Sequence, residues 1–172
     1  MSAIVRNLAP ERINTFPDSP TYGKPISYPN ESQVFSILKL ENGIAGTLSI
    51  NGDSTIQDQA HFMIYGKKGI LKLTDPNTFG GNVIYLPAQK DFEDHPTPQI
   101  LNYGFSYGEN SRGLGPSEMA DAIFEKRENR ANAELAVHVL DVIDHMVESS
   151  EKGAFVQVTS TCKRPEPMPS YV

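Results

Sequence analysis

The sequence contains one cysteine and no tryptophan among its 172 residues. A single cysteine, Cys162, cannot form an internal disulfide, which argues against a secreted, disulfide-stabilised scaffold. The sequence has no apolar run long enough to cross a membrane and no secretory signal pattern, so we expect a cytoplasmic protein. The net charge of −6 argues against a surface that binds nucleic acid or anionic membranes.

The sequence also lacks a phosphate-binding glycine loop. The nearest candidate is GLGPSE, which begins at Gly113. Glu118 occupies the place of the third glycine of the dinucleotide fingerprint, where a carboxylate would repel phosphates, and no Lys-Ser or Lys-Thr pair follows. We therefore expect a turn at the glycines, and a helix that begins at Pro116 or Ser117.

Prolines are concentrated near the two ends of the chain. Five of the thirteen lie within residues 1–32, which predicts an extended surface arm with at most one edge strand. Residues 163–172 are also proline-rich and are expected to form an extended tail. A chain of this length is predicted to fold as a single domain over residues 1–172, with about 70% of its unfolded surface buried.

The middle of the chain reads as a series of strands. VFSILKL and IAGTLSIN are joined by Asn42-Gly43, which is a strong hairpin signal. HFMIYG and GILKL form a second predicted pair around Lys67-Lys68. A fifth strand, NVIYL, follows the turn-rich segment TDPNTFGG, and a last strand, AFVQV, is predicted near the C-terminus.

Two helices are predicted between the fifth and the last strand. The first is expected to place an apolar face inward and its acidic residues outward. The second is expected to begin after Asn132, a plausible N-cap, and to end near Gly153. The inward faces are Met119, Ala120, Ile123 and Phe124 in the first helix, with Glu118, Asp121 and Glu125 outward, and Leu135, Val139, Val142, Ile143 and Met146 in the second.

This order of elements predicts an α+β fold with a large, mostly antiparallel open sheet and helices on one face. Both alternating sets of residues in VFSILKL and HFMIY are largely apolar, whereas a sheet with one wet face alternates more cleanly. Because two helices cover one face only, we expect a homo-oligomer that forms through the open face of the sheet.

Three side chains in the second helix suggest metal chemistry. His138, Asp141 and His145 are suitable ligand types on one edge of the helix. However, the outer pair is two turns apart, about 10 Å, so the three do not converge on one ion. We therefore predict no metal ligand and expect a structural pair with Asp141. A metal-dependent hydrolase remains the weakest of three functional hypotheses. Cys162 has no nearby histidine and is expected to be inert.

A run of alternate aromatic residues precedes an arginine. Tyr103, Phe105, Tyr107 and Arg112 could line a sugar or polyol site, because rings cover the apolar faces of sugars and a guanidinium binds hydroxyls. The same residues could instead form an edge strand that packs its rings on the sheet.

Five segments, taken in order, resemble the C-terminal domain of the Gfo/Idh/MocA oxidoreductases, the relatives of glucose-fructose oxidoreductase and inositol dehydrogenase. The resemblance extends from about Asn7 to Pro169. The segments are NLAPERINTFPDSPTYG, SQVFSILKLENGIAGTLSIN, IYGKKGILKLTDPNTFGGNVIYLP, SRGLGPSEMADAIFEKRENRANAELAVHVLDVIDHMVESSEKG and STCKRPEPMP.

The resemblance implies an N-terminal Rossmann domain that binds NAD or NADP, and a C-terminal domain that helps to form the substrate site and the oligomer. Such enzymes move a hydride between nicotinamide and a sugar, inositol or related polyol. This sequence contains neither the G-x-G-x-x-G nor the E-K-P motif of the family, and none of its four histidines matches the catalytic histidine of the family's D-x-x-x-H segment. No catalytic and no cofactor-binding residue is therefore assigned to it, and Tyr107 and Arg112 are expected to approach substrate or a neighbouring subunit.

These observations predict the C-terminal substrate-binding and oligomerisation domain of an NAD(P)-dependent sugar or polyol oxidoreductase. The chain, a truncated product or a fragment, is expected to have no dehydrogenase activity alone, because the hydride carrier belongs to the other domain. The alternative is a stand-alone, non-catalytic assembly or sugar-binding module.

Overall fold

The computed structural model describes residues 1–54, 60–101, 107–108 and 112–168. The elements found in these ranges confirm the α+β class with antiparallel strand pairing. The strands are β1 (Ser2–Arg6), β2 (Glu11–Ile13), β3 (Pro25–Ser27), β4 (Gln33–Lys39), β5 (Ala45–Asn51), β6 (Phe62–Gly66), β7 (Gly69–Leu73), β8 (Val83–Pro87) and β9 (Gln99–Leu101), and the helices are α1 (Leu114–Glu125) and α2 (Ala133–Lys152).

The chain divides into two compact units. The first contains Met1–Thr55 and Ala133–Lys163, and the second contains Ile56–Asn132 and Arg164–Val172. The chain therefore leaves the second unit at α2 and returns to it at the C-terminal tail.

An antiparallel sheet with the order β1-β4-β5 forms the centre of the first unit. The predicted hairpin between β4 and β5 is confirmed, because Leu40 and Ile44 exchange a backbone hydrogen bond across the turn. Gly43 has a φ of 84°, which glycine adopts without strain, and the Asn42 side chain accepts a hydrogen bond from the Ile44 amide.

The proline-rich arm contains more structure than the sequence predicted. Instead of at most one strand, residues 1–32 contain β1 and the antiparallel pair β2-β3. Proline is accepted here because Pro25 is the first residue of a strand in a two-stranded sheet. The buried side chain of Asn14 donates to the hydroxyls of Ser19 and Thr21 and so organises the loop between β2 and β3.

Helix α2 packs against β1. Two serines near its C-terminal end make the contact, since the Ala3 amide donates to Ser149 Oγ and the Val5 amide donates to Ser150 Oγ. The predicted apolar stripe is correct at Met146, which is buried. It is wrong at Val139 and Ile143, which are half exposed, because short serine side chains rather than large apolar ones lie against the strand.

The segment that follows α2 contains no strand. Gly153, with a φ of 60°, ends the helix as predicted, but residues 154–158 are irregular, so the prediction of a last strand is wrong. Val156 does exchange two backbone hydrogen bonds with Met1, but Met1 precedes β1. The serine, histidine and aspartate contacts of α2 described below hold this segment along the helix instead.

The second unit contains a four-stranded antiparallel sheet with the order β6-β7-β8-β9. The predicted turn at GKKG is confirmed by the pairing of Gly66 with Gly69. Strand β8 is the predicted fifth strand. Gly69 has a φ of 146°, and a β-carbon there would lie 2.2 Å from the Leu86 carbonyl oxygen, so glycine is required at this position.

The orientation of α1 differs from the sequence prediction. Glu118, expected to point outward, is 7% exposed, whereas Ile123 and Phe124, expected to point inward, are 74% and 89% exposed. The helix is terminated by Lys126, which has a φ of 55° and whose amide bonds to the Ala122 and Ile123 carbonyls. The reason for the reversed face is a pair of arginines after the helix, described with the candidate site.

Candidate functional site

The loop between β7 and β8 is held by its own hydrogen bonds. The Asp75 carboxylate accepts from the Asn77 amide at 2.8 Å, and the Asp75 carbonyl accepts from the amide and hydroxyl of Thr78 at 3.0 and 2.9 Å. Such an aspartate turn fixes the backbone locally. The Asn77 side chain is thereby placed on an ordered turn at the edge of the sheet.

Two glycines allow this loop to approach the rest of the second unit closely. A β-carbon on Gly80 would lie 1.8 Å from the Gly108 carbonyl oxygen, and one on Gly81 would lie 2.5 Å from Thr74 Cγ2. Only a residue without a side chain fits at either position. The contact places the loop beside Tyr107, which is half-buried and directly precedes Gly108.

Arg112 completes this group of residues. Its Nη2 donates to Asn77 Oδ1 at 3.0 Å, while the side chain remains exposed. The structure therefore brings Arg112, Asn77 and the Gly108 backbone to one edge of the second unit. Of the other predicted aromatic residues, Tyr103 and Phe105 lie outside the described residues.

This arrangement is suited to binding rather than to proton transfer. A guanidinium offers five N–H donors and stays charged, so it recognises hydroxyl or carboxylate oxygens but does not act as a base. Phe79, on the same loop, is 45% exposed and offers an apolar surface. Together, an aromatic ring, an amide and a guanidinium form the kind of surface that contacts a sugar.

A second cluster surrounds the buried carboxylate of Glu118. Glu118 Oε1 accepts from Nη1 of Arg127 at 2.5 Å and from Nη1 of Arg130 at 2.6 Å, and its Oε2 accepts from the Arg130 amide at 3.0 Å. Burial raises the pKa of Glu118, but the hydrogen bonds from the two arginines outweigh this effect and the net pKa lies below the ordinary value. A charged carboxylate in this position explains why α1 turns its acidic residue inward.

Arg130 also contacts the C-terminal tail. Its Nε lies 2.9 Å from the Glu166 carbonyl oxygen and 3.2 Å from that of Pro167. The tail, irregular over residues 164–168, is thus held by its backbone in the second unit.

The histidines of α2 have partners within the first unit. His138 Nδ1 and Ser160 Oγ are 2.8 Å apart, and His145 Nδ1 lies 3.2 Å from Asp141 Oδ1. Hydrogen bonds from Ser160 and electrostatic interaction with the nearby histidines lower the pKa of Asp141, and together they outweigh the effect of burial. The expected pairing with Asp141 is confirmed for His145. The described ranges contain no group of three His, Cys, Asp or Glu side chains that could hold a metal ion.

Sequence reasoning found Arg112 but missed its partner and the Glu118 cluster. The signal for Asn77 was the Asp-Pro-Asn turn in DPNTFGG, which was interpreted only as a turn. Glu118 gave no signal in the helical periodicity, and only the arginines nine and twelve residues later indicate its role.

No helix in the part of the chain that the structure describes has both the length and the apolar character needed to cross a bilayer. The comparison with curated proteins finds no match.

Several solved structures share the fold at low sequence identity. Levoglucosan dehydrogenase in complex with NADH and L-sorbose matches with a TM-score of 0.69 and 17% identity, covering 92% of this chain and 45% of that chain. The same enzyme with NADH alone matches with a TM-score of 0.69 and 18% identity, covering 93% and 44%. An NAD binding oxidoreductase from Klebsiella pneumoniae matches with a TM-score of 0.66 and 16% identity, covering 93% and 45%. The chain thus spans less than half the length of the solved structures it matches.

A family model provides the assignment that these distant structures alone do not. The model described as "Oxidoreductase family, C-terminal alpha/beta domain" matches residues 3–158, which is most of the chain. The chain belongs to the Gfo/Idh/MocA oxidoreductase family and corresponds to its C-terminal α/β domain.

Proposed function

We propose that this chain is the C-terminal substrate-binding and oligomerisation domain of an NAD(P)-dependent sugar or polyol oxidoreductase. NAD or NADP would be bound by a separate nucleotide-binding domain, and the chain alone would be inactive. The observation that carries the proposal is the family match over residues 3–158. The fold likeness to a dehydrogenase solved with NADH and L-sorbose, of which this chain covers 45%, supports it.

The contact between Arg112 and Asn77 supports the substrate-binding part of the proposal. Arg112 is an exposed guanidinium whose position is fixed by a 3.0 Å hydrogen bond to an ordered turn. A preorganised donor loses little entropy on binding a hydroxyl group. Arg112 would therefore bind sugar hydroxyls, with Tyr107 at its side.

The surface of the four-stranded sheet supports the oligomerisation part. Tyr65 and Ile100 are 72% and 59% exposed, and the register pairs each of them with apolar neighbours on adjacent strands. Large exposed apolar side chains on one sheet face, here interrupted by Lys72, are more typical of an interface than of a monomer surface. A second copy of the chain is the proposed occupant.

Ligand titration tests the binding part. We expect L-sorbose or a related polyol to raise the melting temperature of the wild-type chain and to have no effect on Arg112→Ala. Arg164→Ala, which removes an exposed arginine of the tail, is the control and should respond like the wild type. NADH and NADPH should give no shift. A shift with either dinucleotide would contradict the placement of the cofactor in another domain.

Sedimentation velocity tests the oligomerisation part. Tyr65→Lys should dissociate the oligomer, because it replaces a largely exposed aromatic ring on this sheet face with a charge. Phe92→Lys replaces an aromatic residue that is 94% exposed outside the strands and should leave the oligomer intact. A wild-type chain that stays monomeric at micromolar concentration would remove this part of the proposal. A chain that binds polyols but does not associate with any nucleotide-binding domain would favour the stand-alone module.

A further inference from the structure

Residues 131–165, which include α2, begin and end beside one arginine, and we call this segment the α2 excursion. Arg130 lies three residues before α2 begins, and its Nε donates to the carbonyls of Glu166 and Pro167 after the chain has returned. In the part of the chain that the structure describes, the Arg130 side chain therefore joins the two ends of the segment 131–165.

The return path of the α2 excursion is fixed along α2. Ser149 Oγ donates to the Ala154 carbonyl at 2.7 Å where the helix ends, and Ser160 lies against His138, one turn from the start of the helix. Ser160 also hydrogen-bonds to Asp141. The segment 154–160 thus runs back toward the beginning of α2, which is the direction that brings the tail to Arg130.

Arg130 can hold the tail because Glu118 holds Arg130. The carboxylate accepts from both the Nη1 and the backbone amide of Arg130, so the side chain and the main chain are fixed by the same acceptor. Glu118 is 7% exposed, and a buried carboxylate with two such bonds is a rigid anchor. The remaining Nε–H then points to the tail with little freedom to turn away.

We propose that Arg130 acts as a clip: its side chain binds the tail backbone and so holds together the two ends of the α2 excursion. Glu118 is the residue that positions the Arg130 side chain. Among the described residues of the tail, the Arg130 contact is therefore the point at which the tail can be released. Loss of the contact frees residues 164–168 without removing any element of either sheet. The proposal concerns the conformation of this chain and does not depend on its activity.

Arg127 provides a matched comparison. It binds the same oxygen of Glu118 as Arg130 does, but its other contacts are to Glu125 and to the Glu128 carbonyl, so it does not contact the tail in the described residues. Arg127→Ala removes an ion pair with Glu118 and leaves the clip. Arg130→Ala removes an ion pair with Glu118 and opens the clip.

The half-buried thiol of Cys162 is a native reporter of tail release. In the full chain, we expect Arg130→Ala and Glu118→Gln to increase the reaction rate of Cys162 with an aromatic disulfide reagent by about tenfold, the effect of losing a charge-assisted hydrogen bond. Arg127→Ala should change this rate much less. A fluorophore at Met168→Cys, in a chain with Cys162→Ser, should lose anisotropy in the same two variants.

Two outcomes would overturn the proposal. An Arg130→Ala chain with wild-type circular dichroism, wild-type thiol reactivity and wild-type anisotropy would show that the tail is held elsewhere. Equal effects of Arg127→Ala and Arg130→Ala would show that the cluster stabilises the unit without acting as a clip. If Arg130→Ala does not fold, Arg130→Lys replaces it. The lysine keeps the charge but cannot contact the carboxylate and both carbonyls together. Wild-type thiol reactivity and wild-type anisotropy in this variant would therefore overturn the proposal too.

Discussion

The Nη1 atom of Arg130 lies 2.6 Å from Oε1 of Glu118, and the Arg130 amide lies 3.0 Å from the other oxygen of the same carboxylate. This double contact reverses the amphipathic orientation of α1, since an acidic residue is buried while Ile123 and Phe124 are exposed. A buried carboxylate is tolerated because both of its oxygens have charged or polar donors.

Replacing Glu118 with glutamine should destabilise the second unit. The glutamine oxygen can still accept from both arginines but carries no charge, and the NH2 group cannot accept from the Arg130 amide, so the contacts with Arg127 and Arg130 weaken. We expect a loss of about 2–3 kcal/mol in the free energy of unfolding, measured by urea titration. Glu125→Gln is the control, because Glu125 is exposed and contacts Arg127 only. An equal loss in both variants would contradict a special role for Glu118.

The pH dependence of stability should report the same cluster. Because the folded-state pKa of Glu118 lies below its ordinary value of 4.5, the carboxylate binds its proton less readily in the folded chain. Its contribution to stability is complete above the unfolded pKa and is lost as the pH falls through the lowered folded pKa. The difference in unfolding free energy between wild type and Glu118→Gln should therefore be largest near neutral pH and should shrink as the pH falls from the ordinary value of 4.5 through the lowered folded pKa. A difference that is independent of pH would show that the loss arises from packing.

Alanine should be tolerated far less well at Gly80 than at Gly115. A methyl group on Gly80 would meet the Gly108 carbonyl oxygen, so Gly80→Ala should displace the loop that carries Asn77 and lower stability by about 2 kcal/mol or more. Gly115 lies in the first turn of α1, where an added β-carbon would meet no atom beyond its chain neighbours. Because it precedes Pro116, whose ring disfavours a helical residue with a β-carbon before it, Gly115→Ala should change stability by less than about 1 kcal/mol. Thermal unfolding of the two variants measures both effects.

The hydrogen bond between Arg112 and Asn77 can be tested through its effect on polyol affinity. Asn77→Ala removes the acceptor of the guanidinium and leaves the arginine in place. If the bond preorganises Arg112, this variant should bind L-sorbose or the tightest-binding polyol about tenfold more weakly, with little change in melting temperature, because the residue is exposed. Titration calorimetry measures the polyol affinity of wild type, Asn77→Ala and Arg112→Ala. Wild-type affinity in Asn77→Ala would show that Asn77 has no part in binding.

Local signals in the sequence predicted most of the elements. The Asn42-Gly43 turn and the Gly66 to Gly69 bracket each require a particular backbone geometry, and both hairpins form as predicted. Gly153 ends α2 for the same reason. Turn residues act through their own φ angles, so their effect is visible in one sequence without knowledge of the fold.

Signals that depend on distant partners were not visible. The inward face of α1 is decided by Arg127 and Arg130, which follow the helix, and helical periodicity contains no information about them. The predicted strand AFVQV has strand-like composition, but the contacts of Ser149 with the Ala154 carbonyl and of Ser160 with His138 fix its path. The candidate site was found only in part for the same reason, since Asn77 and Arg112 are thirty-five residues apart.

The clip acts on main-chain oxygens, and this has a consequence for how the sequence can evolve. Every residue type presents a carbonyl group, so the amino acids at positions 166 and 167 can drift among descendants of this gene while the tail remains attached. Selection for attachment would instead fall on two codons far upstream, those for Glu118 and Arg130. Homologues with dissimilar C-terminal ends could therefore share one mode of closure.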